Sequence, residues 1–164
     1  MADDTCLQMV TAKEISALKK NPTLIGELNR PRSQVYSTYF AGSMNVFMIG
    51  SPYPRPTTAK PLTAALFGLH FIKSESFEAA HFGLVPARNV PAVLASLLKV
   101  DLKKVAAAVS SADAVKLAER EVYDFEILAS KEHPAKALVA DIRGLTAFYR
   151  RAASRSLGVA MFTA

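Results

Sequence analysis

The stretch Pro134-Ala135-Lys136-Ala137-Leu138-Val139-Ala140-Asp141-Ile142-Arg143-Gly144-Leu145-Thr146-Ala147-Phe148-Tyr149-Arg150-Arg151-Ala152-Ala153-Ser154, followed three residues later by Gly158-Val159-Ala160-Met161-Phe162-Thr163, decides the fold. Leu138, Ile142, Leu145, Tyr149 and Ala152 recur at spacings of 4, 3, 4 and 3, which is the helical period and makes one apolar stripe for burial. Lys136, Arg143 and Arg150 fall on another face, so the spacing predicts an amphipathic helix from Pro134 to about Ser154. Residues 158–163 alternate weakly and read as a closing strand with the apolar character of one paired inside a sheet. A long core-covering helix that feeds a strand specifies an α+β domain.

Working outward, Asn89 is placed to cap a helix over 90–98 with Pro91 in its first turn, Asp101 one over 102–109, and Ser111 or Asp113 a third reaching 121. Residues 123–128 read as a short strand. Leu62, Leu66, Leu69 and Ile72 put 61–73 on helical spacing, as a nearly central helix; Ser74 then caps a short helix over 75–80, and Gly83 interrupts before Leu84-Val85. Near the start, the apolar stretch 6–10 leads into Thr11-Ala12-Lys13-Glu14, where hydroxyl and carboxylate satisfy each other's backbone amides and open a helix to Lys20. Asn21-Pro22 ends it and a second short helix covers 23–28. A strand is expected over 45–49. The proline-rich stretch 50–61 is expected to be a loop, in which Pro52-Tyr53-Pro54-Arg55-Pro56 favours an extended path with Tyr53 and Arg55 projecting. The expected architecture is a single domain over 1–164, with 1–5 disordered. A small mixed or antiparallel sheet from the N-terminal, 45–49 and C-terminal strands is covered by six or seven helices.

With 164 residues, 51% hydrophobic and 21% charged, the chain has ample material for one core, which excludes intrinsic disorder. No apolar run approaches the roughly 18 residues of a spanning helix, so no membrane segment is expected. An acidic start, Met1-Ala2-Asp3-Asp4, and a single cysteine, Cys6, point to a cytoplasmic location. The net charge of +6 is spread along the chain, without adjacent basic runs, Trp, or aromatics interleaved with Lys and Arg. Nucleic acid is therefore not an expected partner.

The segments taken in order carry a family likeness. Val10-Thr11-Ala12-Lys13-Glu14-Ile15 with Leu18 and Asn21-Pro22, the central Leu66-Phe67-Gly68-Leu69-His70-Phe71, the turn Pro86-Ala87-Arg88-Asn89-Val90-Pro91, and the ending 145–153 with 158–162 resemble the YfbM-like family of bacterial proteins of unknown function. That family's central motif has Trp-His before Gly-Leu-His, where this chain has Leu66-Phe67 and matches at Gly68, Leu69 and His70. The resemblance implies a cytoplasmic α+β domain and no established activity.

Chemistry has few places to assemble. His70, His81 and His133 lack the short spacing of metal ligands, and no cysteine pair exists, so neither a metal nor another cofactor is expected. Ser43 lies outside any Gly-x-Ser-x-Gly elbow, no glycine loop cradles a phosphate, and Asp101 and Asp113 read as caps. The leading expectation is a binding or interaction protein without an assembled catalytic set, its partner another protein. The alternative is a domain or enzyme for a small anionic ligand. Its pocket would gather His70, Arg88, Tyr123 and Tyr149, with Arg88 fixed in a proline-bounded turn and Gly68 letting a backbone or ligand approach closely.

Overall fold

Alternation along short strands builds the sheet on which everything else rests. The computed structural model describes residues 4–50, 60–72 and 81–163. Strands β1 (Thr5–Val10), β2 (Val35–Thr38), β3 (His70–Phe71), β4 (His81–Val85) and β5 (Gly158–Thr163) form one sheet in the order β2-β1-β5-β4-β3, with every neighbour antiparallel. Successive side chains leave opposite faces. Leu7, Met9, Val85, Val159 and Met161 enter a large core, whereas Val10, Phe82, Leu84 and Ala160 enter a smaller one on the reverse face.

The smaller core is closed by α1 (Ala12–Lys20) and the 3-10 segment Pro22–Glu27, through Ile15, Leu18 and Ile25. The expected capping box holds: Glu14 N donates to Thr11 Oγ1, and Thr11 N to Glu14 Oε2. Among the described residues seven helices gather on the other side: α2 (Ala41–Ile49), α3 (Pro61–Phe67), α4 (Val90–Leu98), α5 (Leu102–Ser110), α6 (Ala114–Ala118), α7 (Asp124–Ala129) and α8 (Pro134–Ser154). The α8 stripe is real, since Leu138, Ile142, Leu145, Tyr149 and Ala152 are all buried while Lys136, Arg143 and Arg150 are exposed. Asp101 and Asp113 cap α5 and α6 as expected; the Asn89 side chain makes no capping bond. The result is a single α+β domain.

Five local expectations are corrected. Residues 45–49 are the second half of α2 and not a strand; the first helical amides are answered from a distant residue, so no local cap announces the helix. Residues 124–128 of the strand expected over 123–128 are helical instead, within α7, because Asp124, Phe125 and Leu128 turn inward together on one helical face. The helix expected over 61–73 stops at Phe67. Gly68, at φ +80°, ends it and turns the chain into β3, so that Leu69 N donates to Leu84 O and His70 pairs with Leu84. The first strand begins at Thr5, inside the segment expected to be disordered. Gly83 sits within β4 and does not interrupt it. A Cβ on Gly83 would collide with the Phe67 carbonyl oxygen, and one on Gly68 would lie 2.6 Å from Leu84 N. The close approach allowed by Gly68 is thus that of the β4 backbone. The proline-rich stretch over 51–59 and the short helix expected over 75–80 lie outside the described residues.

Candidate functional site

Register on β3 and β4 decides where His70 points. Residues directly opposite in an antiparallel pair share a face, so His70 lies on the same side as its partner Leu84, the side covered by α1. Arg88 follows β4 in a 3-10 turn, Ala87–Asn89, closed by Asn89 N donating to Pro86 O. Lys19, in the last turn of α1, completes the group. Partial burial is the main cause holding the His70 imidazole below its usual pKa, and the positive charges of Lys19 and Arg88 push it further down. Among the described residues none of these three side chains has a hydrogen-bond or ion-pair partner. All three are exposed.

The two tyrosines expected beside them are elsewhere. Tyr149 is fully buried in the large core, where its hydroxyl donates to Ala65 O at 2.9 Å and burial drives its pKa far upward. The sheet therefore stands between Tyr149 and His70. Tyr123 is 53% exposed at the start of α7, also on the helical side. The four residues do not converge on one pocket.

Two carboxylates carry unexpected polar networks in the helical layer. Asp124 accepts from Ser43 N at 3.1 and 3.0 Å and from Ser43 Oγ at 2.9 Å, capping α2 from 81 residues away. Asp141 accepts from Tyr36 Oη at 2.8 Å on Oδ1 and from Thr38 Oγ1 on Oδ2, which ties edge strand β2 to α8. Burial raises the pKa of both, outweighing the hydrogen bonds that favour the ionised form. The nearby Asp4 is also raised, first by desolvation and then by the charge of Asp141. The oxygens of Asp124 and Asp141 are occupied by the protein's own donors, so their networks hold elements together, whereas the buried Oδ1 of Asp4 has no donor among the described residues. Cys6 is half-buried, with its thiol pushed up by burial and then by Asp4, the opposite of an activated nucleophile.

The model of a domain of unknown function, DUF1877, matches residues 47–162, well over half of the chain. The chain belongs to the DUF1877 family. The matched span takes in His70, Arg88, Asp124 and Asp141, and leaves out Lys19. Among solved structures, the crystal structure of YfbM from Escherichia coli, a protein of unknown function, superposes with a TM-score of 0.72 at 16% identity, covering 98% of this chain and 99% of that one. At that identity the likeness establishes a shared fold, and it bears out the YfbM-like resemblance read from the motifs. Among curated proteins none matches the sequence. Among the described residues no helix is long and apolar enough to cross a membrane, and no three His, Cys, Asp or Glu side chains gather in a metal-binding group.

Proposed function

We propose that this DUF1877 protein is a non-catalytic binding protein that engages an anionic group through Lys19, His70 and Arg88. A single observation carries the reading: α1 and the turn after β4 bring Lys19 and Arg88 each within electrostatic reach of the His70 imidazole on β3, with no partner for any of the three among the described residues. Unneutralised like charges raise each other's energy, and a bound anion relieves that. The planar donors of Arg88, set in a short 3-10 turn, suit a carboxylate or phosphate. The reading includes a cytoplasmic home, where a lone thiol such as Cys6 stays reduced.

The test is an NMR titration of the His70 ring with and without inorganic phosphate. A bound anion favours the imidazolium, so phosphate should raise the His70 pKa, and Lys19→Ala or Arg88→Ala should shrink that rise. A His70 titration curve indifferent to phosphate, or an equal shift in the Arg88→Ala protein, would overturn the proposal.

A further inference from the structure

On the opposite side of the sheet, α2, α3, α4 and α5 leave a cleft of about 370 Å³ between them. That volume falls within the range of small-molecule sites, roughly 300–1,000 Å³. Its walls are apolar: Phe47 and Met48 come from α2, Leu62 from the first turn of α3, and Val105 from α5. Phe47, Met48 and Leu62 remain only half-buried, so apolar surface is left for an occupant to cover. Methionine also adapts its shape to what it meets.

The rim has a different character. Lys99 caps the end of α4 and Lys104 stands in the first turn of α5; both are exposed and neither forms an ion pair among the described residues. Asp101 is the carboxylate on the rim, and its Oδ1 is already taken by Lys103 N and Lys104 N, each at 3.1 Å, as the α5 cap. Two lysines against one committed carboxylate leave the mouth of an apolar cleft net positive. The complementary ligand has an apolar chain and one anionic head.

We infer that this cleft binds an amphipathic carboxylate, with its alkyl chain between α2, α3 and α5 and its head group at Lys99 and Lys104. Its walls and charges are separate from the Lys19, His70 and Arg88 group, so the two proposals stand or fall independently. The experiment is calorimetric titration of the whole protein with hexanoate, octanoate and decanoate. Affinity should rise about fourfold for each added methylene that the cleft buries. An alkyltrimethylammonium of equal length should bind at least about tenfold more weakly. Lys99→Glu with Lys104→Glu should reverse that preference, and Ala108→Trp, at an exposed position of the cleft wall, should block binding without moving the unfolding midpoint. Arg88→Ala should leave the titration unchanged. No binding of decanoate, equal binding of the cationic amphiphile, or binding that survives Ala108→Trp would each overturn the inference, as would a loss of binding in Arg88→Ala.

Discussion

Two polar groups, one buried on the helical side of the sheet and one exposed beside α1, are used in opposite ways. Beneath α8, Asp124, Asp141 and Tyr149 each find partners and bind one element to another: α7 to α2, α8 to β2, and α8 to α3. Asn45 departs from that pattern, since its Nδ2 donates to Ala41 O while Oδ1 has no donor among the described residues. Beside α1, Lys19, His70 and Arg88 lie together unpartnered among the described residues. A buried polar group must be satisfied internally or the fold loses the desolvation free energy, whereas an exposed one can be left to meet something else. Mutations of the buried, satisfied polar groups should therefore act through stability, and mutations of the exposed Lys19, His70 and Arg88 through binding.

The most damaging single change should be Gly83→Ala, where the added methyl would meet backbone of Phe67 and Gly68 and neither side can move without breaking the crossing of α3 over β4. A loss of about 4 kcal/mol or more, or outright failure to fold, is expected; a urea midpoint like that of the parent would mean the crossing can open cheaply. Leu145→Ala, in the fully buried α8 stripe, should lose about 2–5 kcal/mol by the same measurement. A shift too small to resolve would mean that the core collapses around the vacancy.

Asp124→Ala comes next, at about 1–3 kcal/mol, because Ser43 N and Oγ lose their acceptor at the buried start of α2. Its pH behaviour has a definite sign. The folded-state pKa values of Asp124 and Asp141 are raised, so the native chain holds these protons to higher pH than the unfolded chain does. Their contribution is greatest below the ordinary carboxylate value of about 3.9 and is lost as pH rises through the folded values. Asp141→Asn, whose hydroxyl partners can turn to suit an amide, should flatten that dependence in unfolding midpoints followed upward from pH 4. An unchanged slope would place its origin in other groups.

The same contrast explains what could be read from the chain. Elements whose ends are answered locally were legible: Thr11 with Glu14, Asp101 and Asp113 mark their own helices, and the α8 stripe needs only its period. Helix α2 was not, because its capping carboxylate lies 81 residues ahead and its apolar run 45–49 looks like a strand without it. His70 and Arg88 stand out by residue type in apolar surroundings, yet their nearness to Lys19 depends on the turn at Gly68 and on the β3–β4 register, and a helix over 61–73 conceals both. Tyr149 misleads for the converse reason. Its ring belongs to the buried stripe, and its hydroxyl is answered by Ala65 O, a partner that no spacing reveals.

The smallest expected effect on stability is the most telling for function. Arg88→Ala removes an exposed side chain with no partner among the described residues, so the unfolding midpoint near neutral pH should stay within about 0.5 kcal/mol of the parent. Acidification should separate the two proteins. Because the folded His70 is held below its unfolded value, partly by Arg88, the unfolded chain takes up its proton first, and stability is lost as pH falls from the ordinary imidazole range through the folded pKa. Without Arg88 one of the opposing charges is gone, and the decline should be shallower. Phosphate should also make it shallower in the parent, by neutralising the same charges, and should do less in the variant. Thermal unfolding across that pH range, with and without phosphate, gives four curves. If Arg88→Ala leaves the acid limb of the phosphate-free curve unchanged, the cluster is too well screened by water to act as a unit, and the contrast between the two faces reduces to one of burial alone.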